Sequence, residues 1–116
     1  MTRSSAFSAD DHRQFNRHGE SFDRGETFSG VDYDLGLDVV EELRPLVPEG
    51  QSMAEFALRW ILMADAVTCA IPGAKRPAQV ADNCRAADRP PIAAATLLKV
   101  RAIYDRRIRE QVHHAW

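Results

Sequence analysis

The stretch AIPGAKRPAQVADN, residues 70–83, combines residue types that can bind an anionic ligand. Lys75 and Arg76 place two positive charges just ahead of a helix for which Pro77 is a suitable first residue. Gly73 lacks a Cβ, so a ligand can approach the backbone closely there. Because a helix N-terminus exposes unpaired N–H groups and a partial positive charge, phosphate binds readily at such a position. The spacing therefore predicts a phosphate contact at this turn.

A small polar patch follows on the predicted helix. Gln79 and Asn83 are four residues apart and share one face, and Asp82 lies beside Asn83. Amide and carboxylate groups in this arrangement can hold an adenine edge or a ribose. The stretch contains neither GxxxxGK[ST] nor GxGxxG. The residues alone leave two interpretations open, a phosphate-plus-nucleoside site and an ordinary turn that starts a helix.

The elements that would position this stretch are mostly helical. Apolar spacing and breakers predict four helices and one short β-branched strand ahead of the turn. Ser52 and Glu55 have the spacing of a capping box at the start of the second helix. The predicted helices cover about 35–46, 52–63, 77–87 and 93–112, and the predicted strand covers about 67–71.

The same periodicity predicts which positions face a core. The second helix is expected to be largely buried, and the helix after the turn is expected to bury one stripe. The charged face of the last helix is expected to be solvated. The predicted inward positions of the second and third helices are Met53, Phe56, Ala57, Trp60 and Ile61, then Val80, Cys84 and Ala87.

Residues 1–34 differ from the rest of the chain. They are acidic and turn-rich, and their aromatic residues are spaced too widely for a helical or strand pattern. We predict a long irregular loop, pinned by its aromatics onto a surface that lies outside this chain. Residues 35–116 form the predicted helical portion.

Composition and charge narrow the class of protein. The 116 residues suit one domain, and no apolar run approaches the length of a membrane helix. Residues 1–50 carry 5 Lys/Arg and 11 Asp/Glu, whereas residues 51–116 carry 10 and 6, which argues against nucleic-acid binding by the whole chain. Cys69 and Cys84 fit no metal spacing and are expected as reduced thiols in or near a core. We expect a soluble cytoplasmic protein with no membrane or nucleic-acid partner.

The segment ALRWILMADAVTCAIPGAKRPAQVADN resembles the C-terminal portion of the aldo-keto reductase family. Members carry an ALxW helix, a strand ending in IPGA, and then a basic or polar residue, a Gln and an Asn at these intervals. Upstream, FNRHGESFDRGETFSGV resembles the loop after the seventh barrel strand in bacterial members. The resemblance covers about residues 10–112.

The resemblance implies a (β/α)₈ TIM barrel that binds NADP(H) at its C-terminal face and reduces aldehydes or ketones. In such barrels the loops after strands seven and eight often build the phosphate site. This chain would be the last βα units of that barrel. Lys75 favours the phosphorylated cofactor without excluding NAD. The implied contacts are Gly73, Ala74 and Lys75 with the 2′-phosphate and ribose, Arg76 assisting by charge, and Gln79, Asp82 and Asn83 on the adenine side.

The family's catalytic set of Asp, Tyr, Lys and His lies in the N-terminal two-thirds of a full-length member. No substitute set is apparent, since Tyr33 lies in the predicted loop and Tyr104 on an apolar stripe. His113 and His114 are adjacent, so they do not face one metal site. We therefore expect no catalytic or metal-binding residue, no activity in the isolated chain, and weak or no cofactor binding by it. The alternative is a non-catalytic helical module that self-associates or packs on a partner.

Overall fold

The computed structural model describes residues 6, 8, 9, 11 and 30–115. Most of the predicted loop over 1–34, including His12, His18 and its phenylalanines, lies outside the described residues. The described part is helical, which confirms the mostly α prediction. Its elements are α1 (Tyr33–Leu43), a 3₁₀ turn (Arg44–Leu46), α2 (Met53–Leu62), α3 (Pro77–Asp88), α4 (Ala94–Arg107), α5 (Arg109–Val112) and a second 3₁₀ turn (His113–Ala115).

The chain divides into two compact units. Unit 1 comprises Met1–Leu43 together with Lys99–Trp116, and unit 2 comprises Arg44–Leu98. Unit 2 contains the whole of the turn at residues 70–83 and both helices that flank it. None of the described helices is long and apolar enough to cross a membrane.

The predicted strand over 67–71 is wrong. Residues 67–74 run from α2 toward α3 without forming helix or strand, and nothing in residues 30–115 is a β-strand. A strand needs a neighbour for its N–H and C=O groups. Here the Val67 N–H donates to the Ala64 carbonyl at 2.8 Å, which closes a turn and not a ladder. Ile71 is 94% exposed, so its β-branched side chain has no sheet face on which to pack.

The start of α2 confirms the predicted capping box. The Glu55 N–H donates to Ser52 Oγ at 3.1 Å, and the Ser52 N–H donates to Glu55 Oε2 at 2.8 Å. Two N–H groups that the first turn leaves without helical partners are thereby satisfied. The helix begins where this local pattern predicts.

The predicted burial of α2 and α3 is largely wrong. The two helices pack on each other, with Phe56 3% exposed and Ala86 fully buried. Trp60 is 51% exposed, and Val80 is similarly exposed on α3. One helix packed on one neighbour buries a narrow line of side chains, so the wide apolar stripe of α2 stays partly in solvent.

The cysteines also differ from expectation. Cys69 and Cys84 are free thiols, but both are exposed and neither lies in a core. Cys84 is exposed because Ala86 lies on the face of α3 that packs on α2. The predicted inward stripe of Val80, Cys84 and Ala87 therefore faces solvent.

Unit 1 has its own small apolar core, formed by Tyr33, Leu37, Ile103 and Val112. Tyr33 was expected in a loop, but it is the first residue of α1. The predicted last helix is interrupted at Ile108, which separates α4 from α5.

The charged face of α4 is exposed to solvent, as expected, and its arginines also form ion pairs. Glu42 of α1 accepts from Arg106 and from Arg107, the latter at 2.5 Å. These hydrogen bonds, that from Arg107 foremost, hold the pKa of Glu42 below its usual value. Asp105 accepts from Arg109 at 3.0 Å and from Arg101 at 3.1 Å. Four basic residues of unit 1 are therefore committed to ion pairs: Arg101, Arg106, Arg107 and Arg109.

Candidate functional site

The turn before α3 presents its backbone and two cations to solvent. Residues 71–78 are all exposed. A Cβ added at Gly73 would meet no atom within 4 Å, so the space beside this residue is open. The Lys75 and Arg76 side chains form no ion pair in the part of the chain that the structure describes. Their charges are therefore available to an anion from outside.

Pro77 is the first residue of α3, as the sequence predicts. Arg76 is the N-cap, with extended backbone at φ −141° and ψ 146°. Its own side chain makes no capping hydrogen bond, so another group must satisfy the start of the helix.

Gln79 supplies that group. Its Oε1 accepts the Lys75 N–H at 2.8 Å and the Arg76 N–H at 3.1 Å. The two backbone donors nearest the positive side chains are thus already paired within the chain. This cap can be predicted from nearby residues alone, because a Gln at the third helical position is half of a capping box. From the sequence, Gln79 was predicted only as part of the nucleoside face.

Asp82 and Asn83 lie on the next turn of α3, and both are half-buried. Asp82 Oδ1 accepts from the Arg85 guanidinium at 2.5 Å. The Asn83 side chain makes no hydrogen bond with the described residues. Its amide can therefore donate and accept toward a ligand. The role of Asp82 and Asn83 in ligand binding stays a prediction.

Glu55 anchors α3 to α2 beneath this surface. The residue is 4% exposed, and its Oε1 accepts from Arg89 at 2.9 Å and from Arg85 Nε at 3.3 Å. The Ser52 N–H hydrogen bond first, and Arg89 next, lower the pKa of Glu55 to about 2. Arg89 also donates to the Gly50 carbonyl at 3.0 Å. Local spacing predicts the cap on α2 but not these arginines, because they follow Glu55 by 30 residues or more.

Other chemistry-bearing groups lie in unit 1. Tyr104 Oη and His113 Nδ1 are 3.0 Å apart, with the Arg101 guanidinium 5.7 Å from the Tyr104 ring centroid. Tyr104 was expected in the core but is only half-buried. No group of three or more His, Cys, Asp or Glu side chains with metal-binding geometry occurs among the residues that the structure describes.

The arrangement in unit 2 can hold an anion by charge and a polar heterocycle or sugar by amide and carboxylate. It brings together the predicted cofactor-binding residues of one turn and one helix. A search of the curated proteins and a search of the solved structures found no match. The family model described as the aldo/keto reductase family matches residues 1–105, close to the span of the resemblance noted above. The chain belongs to the aldo/keto reductase family.

Proposed function

We propose that this chain is the C-terminal, cofactor-binding portion of a bacterial-type, NADP(H)-dependent aldo/keto reductase. The observation that carries the proposal is the pair of exposed cations at the start of α3 in a chain of this family, Lys75 and Arg76, which form no ion pair with the described residues. In this proposal the 2′-phosphate of the cofactor binds to the Lys75 and Arg76 side chains. Asp82 and Asn83 then offer the acceptor and the amide that an adenosine needs.

Contacts to the phosphate from the Lys75 and Arg76 N–H groups require a change at Gln79. Its amide oxygen already accepts the Lys75 and Arg76 N–H groups. A phosphate that uses these donors replaces the Gln79 oxygen, and it releases the Gln79 amide toward the adenine side. The net gain is smaller than for an empty helix N-terminus, since one hydrogen bond is exchanged for another.

The reaction of the family implies hydride transfer from the nicotinamide to an aldehyde or ketone. The 116 residues contain no recognisable Asp/Tyr/Lys/His catalytic set. We therefore propose that this chain alone does not reduce carbonyl substrates and binds NADP(H) weakly. We also propose a cytoplasmic location, which suits the two free, exposed thiols.

A nucleotide titration followed by NMR tests the proposed site. The ¹⁵N-labelled chain is titrated with NADPH and with NADH, at low and at high salt. We expect NADPH to bind more tightly, with the largest amide shifts over residues 73–83 and an affinity that falls with salt. Lys75→Ala/Arg76→Ala should weaken NADPH binding roughly tenfold, the effect of about 1.4 kcal/mol.

Two further variants sharpen the result. Lys99→Ala/Arg101→Ala removes the same charge from exposed positions of unit 1 and should leave NADPH affinity nearly unchanged. Gly73→Ala adds a methyl group in open space, so it should weaken binding without weakening the fold. Equal binding of NADPH by wild type and Lys75→Ala/Arg76→Ala would contradict the proposal, as would no binding of either nucleotide.

A second candidate function is that of a non-catalytic helical module that associates with its own copies. Unit 2 exposes the large apolar side chains of Trp60, Ile61, Ile71, Val80 and Leu98. The segment over 68–74 also carries backbone groups that find no hydrogen-bond partner in the described chain. Both features favour association, which removes apolar surface from water and pairs backbone groups.

A further inference from the structure

Arg85 joins an anchored carboxylate to an exposed one. Its Nε donates to Glu55 Oε1 at 3.3 Å, and another guanidinium nitrogen donates to Asp82 Oδ1 at 2.5 Å. Glu55 is itself held by the Ser52 N–H and by Arg89. The chain of contacts therefore runs from the N-cap of α2, through a buried carboxylate, to the outer surface of α3.

We infer that Arg85 is a positioning residue for the nucleoside-binding carboxylate of Asp82. This inference rests on the proposed function. Arg85 uses Asp82 Oδ1 and leaves Oδ2 for a ligand N–H or O–H group. Because one end of the guanidinium is tied to Glu55, the Asp82 side chain is restricted to fewer rotamers before a ligand arrives. Less conformational entropy is then lost on binding.

Arg85 has a second effect, on charge. The Asp82 carboxylate lies one helical turn from the start of α3, where Lys75 and Arg76 would hold a phosphate. An unpaired carboxylate there repels an anion. The guanidinium compensates this charge, and the pKa of Arg85 is raised chiefly by its hydrogen bond to Asp82. Arg85 thus supports the anion without contacting it.

A structural role alone does not account for both contacts. The Arg85 and Asp82 side chains are each about half exposed, and ion pairs at such positions contribute little to stability. Arg89, which is more buried, also bridges Glu55 to the Gly50 carbonyl. Arg89 therefore serves the packing of α3 on α2, whereas Arg85 faces the proposed ligand surface.

A double-mutant cycle measured by NADPH titration tests this inference. Arg85→Gln should weaken NADPH binding about threefold to fivefold, which corresponds to the interaction free energy of a partly exposed ion pair. In the Asp82→Asn background the same Arg85→Gln change should have almost no effect, because the carboxylate that it positions is gone. Arg85→Lys should restore part of the affinity, since a lysine keeps the charge but cannot contact both carboxylates in the same geometry.

The control is Arg101→Gln, which breaks a comparable exposed ion pair with Asp105 in unit 1. It should leave NADPH binding unchanged. If Lys75→Ala/Arg76→Ala weakens binding as expected while Arg85→Gln has no effect, the inference is wrong and the proposed site stands. An equal loss on Arg85→Gln with and without Asp82→Asn also overturns it, since Arg85 then acts independently of Asp82. If wild type binds no nucleotide, both the proposed site and this inference fail.

Discussion

Glu55 illustrates how one carboxylate can serve a helix and its neighbour together. One oxygen caps the first turn of α2 through Ser52, and the other accepts from two arginines of the α3 region. A buried carboxylate without such donors would be costly. With them it stays ionised, and its pKa falls to about 2.

The lowered pKa predicts an acid-sensitive contribution to stability. An unfolded Glu titrates near 4.3, so this contribution is fully present above about pH 5 and is lost as pH falls toward 2. Glu55→Gln should therefore be less stable than wild type at pH 6, and the difference should shrink by pH 2.5. Urea unfolding followed by circular dichroism measures it. Glu110→Gln, at an exposed position of α5, is the control. A difference that does not change with pH would contradict the role assigned to Glu55.

At the scale of elements, the starts of α2 and α3 were predictable and their buried faces were not. The Ser52 cap and Pro77 both act within one turn of chain, so sequence spacing reveals them. The face of α3 that is buried depends on where α2 lies. Ala86, and not Val80, meets that neighbour.

The packing of α2 on α3 predicts unequal effects of two aromatic truncations. Phe56→Ala should lower the free energy of unfolding by roughly 3 kcal/mol, since it leaves a cavity at a buried position. Trp60→Ala removes a larger but half-exposed ring and should cost less, about 1 kcal/mol. Urea unfolding of both variants measures the contrast. A larger cost for Trp60→Ala would show that this ring is covered in solution, by another copy or by another protein.

At the scale of the whole molecule, unit 2 leaves several large apolar side chains exposed to solvent. Leu98 is 72% exposed, and Ile71 lies in a segment without strand partners. Strand formation over 67–71 requires backbone donors and acceptors that the described part of the chain does not offer. A barrel of the family's kind would supply them, and so would a second copy.

These exposed groups predict concentration-dependent self-association of the purified chain. Sedimentation velocity over a wide concentration range should show species larger than a monomer. Ile71→Gln/Leu98→Gln should shift the distribution toward monomer, because it removes apolar area from the surface. Lys99→Gln, beside Leu98 but polar in wild type, should not. A monomer at every concentration would contradict both the prediction and the helical-module candidate.

The sequence by itself determined the local features and the family: the capping box, the proline that starts α3, the basic pair before it, and the motifs that the family model matches. Each of these depends on residues close together in the chain. Only the tertiary structure decided that Gln79 caps its own helix, that Arg85 links Glu55 to Asp82, and that residues 67–71 form no strand. Strand formation and ion pairing depend on which groups from distant parts of the sequence lie close in space. The periodicity of a sequence gives no information about those groups.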